Sequence, residues 1–549
     1  MAISKNETNE NNETEIRDTM EKLGRYQIIQ YAFSFIGTLV VTLSHINYVF
    51  IAGDLDYRCR IPECEDESSE FKPVWWPSGT IDRCTRPVSQ YPTPTLGQSC
   101  TNESFTDTVE MCTEWVYESN DTVIAEFNLA CKPWMSNMIG TTHSIGILIV
   151  MIVAGWMSDR FGRKPVFIFC CVGSCIGYFK GYAPSYYVYV GIELLEAVIT
   201  GGTYGTISIL MIEISGKKNR LLAGIIFAYS IYMGESVYAI IAKFVPNWKN
   251  LIKILYCPPI IFLSYIYFMK ESPRWQIING KFDDAKAALL YISKMNKVNI
   301  NEQKLAEMGE KELKKEFNIT NNKHKETIKD AFKSKEIMKR VTIGAFSRFS
   351  ACVVYYGLMI NSVFLPGDKY MNFFLSSIMS YPGDLMALYL MNKVGRKSPL
   401  IYGFVLCGLL CAASVCVPDD VSWLKITLFL LGKMIASGCF IGVVAYAIEL
   451  VPTSVRGTLL GISGLTATFG NVLAPLTPLL ATVSVILPPL IFGVLAITSG
   501  LLLTLTPETK DLPLAETVEQ VEYEVRLRKS RRKENNLRGQ DNPSFENRN

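Results

Sequence analysis

Histidine is nearly missing from this chain, with 3 in 549 residues. None falls between Asp54 and Lys132, where cysteines gather, so that stretch lacks a ligand that paired-spacing zinc sites use. No metal-ligand cluster, nucleophile–base pattern or phosphate-binding glycine loop appears, so the usual marks of an enzyme are absent. Residues 1–22 lack the basic-then-apolar pattern of a cleavable leader. Charged residues make up only 19%, against 49% hydrophobic, and mean hydropathy is positive. That balance excludes a disordered or ordinary soluble chain and points to a polytopic membrane protein. Its solvent is a lipid bilayer, and no cofactor, metal or nucleic-acid partner is expected.

What is present is a set of long apolar runs and one charged turn that occurs twice. Asp159-Arg160-Phe161-Gly162-Arg163-Lys164 lies between the runs Met135–Trp156 and Pro165–Tyr182. Each run is close to the ~20 residues a helix needs to cross hydrocarbon. A cationic turn between two spans marks the cytoplasmic side. Gly155 and Gly162 are expected to let backbones approach closely. The turn recurs as Asn392-Lys393-Val394-Gly395-Arg396-Lys397, 233 residues on. Glu213 and Arg220 recur as Glu449 and Arg456 at an offset of 236, and Glu271 as Glu508 at 237. Landmarks in one order at nearly one offset imply two similar membrane bundles.

The remaining spans are Tyr26–Ala52, Tyr186–Ile212, Leu222–Phe244, Leu251–Met269, Val341–Phe364, Tyr370–Met391, Pro399–Val417, Trp423–Leu450, Thr458–Ala481 and Val483–Leu505. The expected architecture is all-α and polytopic, with twelve transmembrane helices as two six-helix pseudo-repeats. Its parts are a cytoplasmic N-terminus (1–25), a first bundle (26–269) carrying an extracellular loop (53–133), a cytoplasmic connector (270–340), a second bundle (341–505) and a cytoplasmic tail (506–549). The loop carries 15 acids and 6 bases from Asp54 to Lys132, and the connector 17 bases and 11 acids from Lys270 to Arg340, consistent with opposite sides. Six cysteines lie in the loop: Cys59, Cys64, Cys84, Cys100, Cys112 and Cys131. Three disulfides or free thiols are the choices; an extracellular setting favours disulfides, in any of 15 connectivities. Sequons at Asn102 and Asn120 are expected to carry glycans. In the connector, Phe282–Met295 has the spacing of a surface helix lying on the bundle.

The turn, the Glu271-Ser272-Pro273-Arg274-Trp275 run and Pro507-Glu508-Thr509-Lys510 together resemble the major facilitator superfamily. Trp115-Val116-Tyr117 with Glu126-Phe127-Asn128-Leu129-Ala130-Cys131, and Glu449-Leu450-Val451-Pro452-Thr453-Ser454-Val455-Arg456, resemble the organic cation, organic anion and carnitine transporters, solute carrier family 22. The resemblance spans roughly Leu23–Val518. It implies a plasma-membrane carrier of small organic ions in which two bundles rock about a central site. It also implies that Asp159 latches near Arg456–Thr458. Asp159, Arg160, Arg163, Glu213, Arg220, Asn392, Arg396, Glu449 and Arg456 would then form a cytoplasmic gating network, weaker in the second copy, where Asn392 replaces the acid. The plain alternative is topology-setting charge.

Ionisable residues within spans mark function by default. Glu193, Glu196, Glu235, Arg348, Asp384, Lys433, His45 and His143 are such residues. Arg348 and Asp384 each lie about 12–13 Å from the cytosolic edge at 1.5 Å per residue. An Arg348–Asp384 ion pair is therefore expected, the alternative being an Arg348 that snorkels. Pro382-Gly383 is expected to break its span. Tyr204, Tyr355 and Tyr356 near mid-span suit ammonium groups through cation–π attraction, with ordinary packing as the alternative. The resemblance places Tyr204 and Tyr355 at cavity-lining positions. It also puts Thr468 where relatives carry an acid or Arg, and Glu193 where Arg is usual. Substrate residues are thus expected among Tyr204, Tyr355, Tyr356, Lys433, Glu235, Thr468 and Asp384. Three readings follow: a carrier of organic cations or zwitterions, an organic anion exchanger using Lys433, or a non-transporting receptor or scaffold.

Overall fold

Backbone amides in hydrocarbon must be satisfied within their own segment, which leaves helices as the spanning element. The computed structural model describes residues 23–527 except 54, 63, 66–69, 74, 77–82, 90–99, 101–103, 217–218, 299–300, 318–327, 511–514, 516 and 524. Among the described residues, ten helices are long and apolar enough to cross a membrane, from Arg25–Ile51 to Arg456–Ala481. The expected span Tyr370–Met391 is split at Met379, and the last, Leu487–Leu503, has only 17 residues. With these, the described residues supply a helical segment at each of the twelve expected crossings, two of them shorter or interrupted.

The helices used below are α1 (Arg25–His45), α2 (Pro133–Phe161), α3 (Arg163–Gly173, continued by a 3-10 stretch Ser174–Tyr182), α4 (Tyr186–Thr200), α5 (Thr203–Ile214), α6 (Arg220–Phe244), α7 (Trp248–Tyr256), α8 (Lys335–Asn361), α9 (Lys369–Ile378), α10 (Ser380–Lys393), α11 (Lys397–Val415), α12 (Ser422–Leu450), α13 (Arg456–Leu473) and α14 (Leu487–Leu503). The chain divides into two compact units. One comprises 1–317, 367–374 and 475–483; the other comprises 318–366, 375–474 and 484–549.

In the first unit α1 packs on α6, α2 on α4, and α3 on α5. Residues 367–374 belong here through a Lys243–Asp368 ion pair at 2.6 Å and a Phe50–Tyr370 ring stack with centroids 4.9 Å apart. The helix Phe282–Asn296 docks on the start of α1. Asn296 Oδ1 accepts the Tyr26 amide at 3.0 Å, and the Tyr26 and Tyr291 rings meet edge-on. This is the surface helix expected from its spacing.

In the second unit α11 packs on α14 and α12, and α8 on α13. Val518 and Val521 of the tail are buried with Ile337, Val341, Val451, Val455 and Leu459. That part of the tail is anchored rather than solvated. Pro382-Gly383 does not itself break the span: α10 runs through both, and the interruption falls three residues earlier, at Met379. Pro382 sits in the first turn, where its missing donor matters least. Gly383 serves close approach instead. A side chain there would enter the Met434 carbonyl, and a Cβ on Gly438 would lie 2.7 Å from the Gly383 carbonyl. Gly155 faces open space and mediates no such contact.

The 53–133 loop has two small antiparallel sheets: β1 (Tyr57–Cys59) with β4 (Trp115–Tyr117), and β2 (Thr85–Ser89) with β3 (Phe105–Met111). Its core is a charge. Arg58 is buried, pairs with Glu65, donates to the Phe71 carbonyl at 2.8 Å and lies 4.8 Å from the Trp76 ring centroid. All six loop cysteines are bridged, as Cys59–Cys112, Cys64–Cys100 and Cys84–Cys131. Asn120 is exposed, while Asn102 lies outside the described residues. Non-reduced peptide mapping of the purified protein should return these three pairs. Serine at both Cys84 and Cys131 should destabilise the loop by about 2–4 kcal/mol, measured as faster protease cleavage between residues 53 and 133.

Candidate functional site

Each half turns between two spans at a glycine that a carboxylate presses against. Gly162 has φ 109° and Gly395 φ 139°, conformations that residues with a Cβ rarely adopt. In the first turn Glu271 accepts the Lys164 amide at 3.1 Å, while Lys164 Nζ donates to the Ile266 carbonyl at 2.7 Å. In the second, Glu508 accepts the amides of Arg396 at 2.8 Å and Lys397 at 3.0 Å. Lys397 Nζ donates to the Thr504 carbonyl at 2.7 Å. Helix N-termini have unsatisfied amides and favour an anion, which is the reason for a Glu at both places.

The arginine beside each glycine organises the acids. Arg163 pairs with Asp159 at 2.9 Å and Glu213 at 3.2 Å. Arg396 pairs with Glu449 at 3.2 Å and donates to Asn392 Oδ1 at 2.9 Å. Asn392 thus keeps the hydrogen bond and loses the charge. Arg160 lies over Trp156, Arg220 is exposed, and Arg456 donates to the Val451 carbonyl at 3.2 Å. The two turns also differ in ionisation. Burial pushes the Glu271 carboxyl above its ordinary value, and the amides of Ser272, Lys164 and Arg163 offset this only in part. At Glu508 burial acts in the same direction, but four amides outweigh it, and the carboxyl lies below the ordinary range.

Deeper in the first unit, charges gather in one buried cluster. Lys180 Nζ lies 2.7 Å from Glu193 Oε2, 3.2 Å from Glu196 Oε2 and 2.8 Å from the Tyr256 hydroxyl. His143 Nδ1 lies 2.8 Å from Glu193 Oε1 and 3.7 Å from Glu196 Oε2, and its Nε2 lies 3.0 Å from His45 Nδ1. Lys180, Glu193 and Glu196 have no exposed surface. Small residues permit this. A Cβ on Gly146 would sit 2.6 Å from the Ala197 side chain, so α2 and α4 meet closely beside His143 and Glu193. A Cβ on Gly177 would enter the Tyr256 ring, so the 3-10 stretch meets α7 beside Lys180. His143, Glu193 and Glu196 have the spacing of a metal-binding group. Lys180 lies against the same carboxylates and supplies the positive charge itself, so the arrangement is an ion-pair cluster. Glu235 is buried on α6, and Tyr204 bonds Thr42 at 3.0 Å with its ring 5.1 Å from that of His45.

In the second unit Lys433 is buried on α12. Its Nζ lies 3.1 Å from the Tyr355 ring centroid and donates to the Tyr355 carbonyl at 3.2 Å. Tyr355 also stacks on Phe440 and meets Tyr356 edge-on, with centroids 5.0 and 5.2 Å apart. Its faces are therefore occupied. Asp384 accepts from Ser437 at 2.7 Å, one turn beyond Lys433. Arg348 donates to the Leu460 carbonyl at 3.4 Å and to Ser463 at 3.3 Å. The expected Arg348–Asp384 pair is not formed, and Arg348 does not snorkel. The two turn in different directions: Arg348 faces α13, Asp384 faces α12. Thr468 donates to the Gly464 carbonyl at 3.1 Å. An apolar cleft of about 320 Å³ between α10, α11 and α12 includes none of these residues.

The sequence profile described as "Sugar (and other) transporter" matches residues 97–520. Rat solute carrier family 22 member 3 is 30% identical over 74% of this chain and 73% of its own length. The chain belongs to solute carrier family 22, within that transporter family. Similar proteins include a Drosophila organic cation transporter protein, 29% identical over 91% of this chain and 92% of its own. Human solute carrier family 22 member 2 is 28% identical over 95% and 97%. The E. coli xylose transporter XylE, inward open, superposes with a TM-score of 0.58 at 15% identity, covering 88% of this chain and 98% of its own, which shows a shared fold. The chain is thus a multi-pass membrane protein of a family that moves small organic solutes.

For this solute carrier, Lys180 and Tyr256 are the site residues that sequence reasoning missed. A lysine inside the run Pro165–Tyr182, opposite two glutamates three residues apart, was the available signal. Removing Lys180 as Met strands two buried carboxylates and should destabilise the first unit by about 3–5 kcal/mol. Adding Glu196→Gln should recover most of that, leaving His143 with Glu193; the thermal midpoint in detergent reads both. The two turns should respond to acid in opposite senses. Glu508, ionised more readily when folded, contributes stability above its unfolded pKa that is lost as pH falls through the folded value. Glu271, ionised less readily, contributes most below its unfolded pKa and loses this as pH rises. Hydrogen exchange at about pH 3.5 against about pH 6, on either side of the ordinary Glu value, corrected for intrinsic rates, should show protection at Lys397 falling with acid while Lys164 holds.

Proposed function

We propose that this chain carries small organic cations or zwitterions across the plasma membrane by alternating access. Both termini would be cytoplasmic, and the bridged loop would face outside with glycans at Asn102 and Asn120. Asp159, Arg163, Glu213, Asn392, Arg396, Glu449 and Arg456 would serve gating. Tyr204 and Glu235 in the first unit, and Tyr356, Asp384 and Thr468 in the second, would face substrate.

The observation that carries the reading is Lys433 on Tyr355. An organic anion exchanger would need that ammonium for its substrate. Instead it rests on an aromatic ring and a carbonyl of its own unit. An aromatic face that holds an ammonium group suits amines, since the ring quadrupole attracts cations and repels anions. Relatives named organic cation transporters, matched over most of their length, support the same choice.

Uptake of a radiolabelled tetraalkylammonium and of a dicarboxylate, in cells expressing the chain, tests this. Saturable uptake of the amine, with none of the dicarboxylate, is expected. Lys433→Gln should free the Tyr355 face and lower the KM for the amine by about 2- to 30-fold, the equivalent of ~0.5–2 kcal/mol, without creating dicarboxylate flux. Dicarboxylate uptake that Lys433→Gln abolishes would establish the anion exchanger instead. Saturable flux of neither would favour a receptor or scaffold.

A further inference from the structure

We propose that the cleft between α10, α11 and α12 binds one anionic phospholipid, with an acyl chain in the cleft and the headgroup phosphate on Lys393 at the Gly395 turn.

The cleft exists because two helices adjacent in sequence pack on a third more than on each other. α10 and α11 are joined by the Gly395 turn, yet each packs closely on α12 and only slightly on the other. Glycines set both contacts deep. A Cβ on Gly438 would lie 2.9 Å from the Ala387 side chain, and one on Gly403 would lie 2.8 Å from Cys439 Sγ. A Cβ on Gly442 would meet Leu400 at 2.8 Å and Met391 at 3.0 Å, so these side chains close the floor. What is left between α10 and α11 is a groove of about 320 Å³.

Its walls suit hydrocarbon. On α10 the lining residues run from Gly383 to Val394 at spacings of three and four, one stripe of the helix. Met386, Val394, Tyr402 and Leu406 line it and are exposed. No lining residue is charged. From Gly383 to Val394 the helix rises about 16 Å at 1.5 Å per residue, half of the ~30 Å hydrocarbon core. A groove that begins at a charged turn and runs one leaflet deep has the length of an acyl chain, not of a spanning helix.

Charge selects the headgroup. Lys393 lies seven residues beyond Met386, on the same stripe and at the turn end of the groove. It is exposed, its ammonium bonds the Tyr389 hydroxyl at 3.1 Å, and among the described residues it meets no carboxylate. Beside it, Lys397 and Lys510 set their ammonium groups on the carbonyls of Thr504 and Lys393, at 2.7 and 2.9 Å. Arg396 takes Glu449, and Glu508 is held by backbone amides. Lys393, Arg396, Lys397 and Lys510 thus face two acids, Glu449 and Glu508. The acid that the first turn keeps as Asp159 is Asn392 here, which leaves this turn net positive. A phosphate next to Lys393 would supply the missing negative charge while its chain covers the apolar stripe. With the turn cytoplasmic, as proposed above, the leaflet that meets it is the one rich in anionic lipid. The binding itself does not depend on that topology.

Photolabelling tests the site. Full-length protein in phosphatidylcholine nanodiscs receives a small fraction of phosphatidylserine, or of phosphatidylcholine, bearing a diazirine on the acyl chain. Peptide mapping then locates the adducts. Labelling of residues 383–406 and 435–439 should be severalfold stronger with the serine lipid. Lys393→Gln and Asn392→Asp alter exposed side chains. Each should lower that labelling by about 5-fold, the equivalent of ~1 kcal/mol per basic charge near a membrane surface, and leave the choline lipid unchanged. Leu390→Trp, which fills the groove, should lower labelling by both lipids; if it does not fold, the two turn variants decide.

Equal labelling by both lipids, or serine-lipid labelling that neither turn variant lowers, overturns the proposal. So does labelling of the groove by a photoreactive sterol that phosphatidylserine does not displace. A groove that takes no label at all, as a second copy of the chain seated there would give, overturns it too. None of these readouts involves flux, so the result stands apart from the transport reading.

Discussion

A lysine in the interior of a membrane bundle has to be answered by nearby charge, because leaving an ion unpaired in low dielectric is unfavourable by several kcal/mol. Lys180 is answered from α4 by two glutamates, which in turn require His143 from α2, and through it His45 from α1. Tyr256 of α7 completes the set. Five segments must therefore be in register at once. The contacts at Gly146 and Gly177 are where that register is fixed, since any side chain there would separate the elements that bring the charges together. Apolar packing alone would hold helices in a bilayer without choosing one rotation over another, because lipid tails are as apolar as the helix surface. The charges supply that choice in the first unit.

The two glycine turns show how a duplicated device diverges. Backbone, glycine conformation, carboxylate, arginine and lysine are the same in both, down to a lysine ammonium on a carbonyl at 2.7 Å. What differs is the burial of the carboxylate and three of the six turn residues, Asp159, Arg160 and Phe161 against Asn392, Lys393 and Val394. Glu271 sits where burial prevails, Glu508 where amides prevail, and Asp159 keeps a charge that Asn392 lacks. The first turn therefore holds more charge in a drier setting. Local geometry has been kept while the electrostatic strength of the two halves has drifted apart.

The repeat, the spans and the bridged loop were legible in the sequence because each rests on a one-dimensional signal: offset, apolar length, or cysteine count in one compartment. The family was legible in contiguous motifs around Asp159, Trp115 and Glu449. That Arg348 and Asp384 lie in consecutive spans was legible too. Azimuth was not. A helix places successive side chains 100° apart, so two residues at one level can face different neighbours. Arg348 turns to α13 and Asp384 to α12, and no spacing rule separates that outcome from a pair. Lys180 escaped notice because it lies in a glycine-rich 3-10 stretch, where the 3.6-residue period gives no reliable face. The disulfide connectivity and the Arg58 core of the loop were also out of reach, since both depend on long-range chain reversal.

The internal pairing of charge narrows how a cation can be recognised. An excess of acids in the spans first suggests a field that attracts cations, but Glu193 and Glu196 are directed at Lys180 and His143. Their charge is then spent within the first unit. A cation carried by this chain would have to find its attraction elsewhere, in aromatic faces and in the other acids of the spans, Glu235 on α6 and Asp384 on α10. Aromatic faces bind ammonium groups more weakly than a bare carboxylate in low dielectric, and with less demand on the shape of the cation. Recognition built on them would release its cargo easily and tolerate varied amines. Withdrawal of the acids into a closed cluster would, in such a carrier, favour turnover and breadth over tight binding of one substrate.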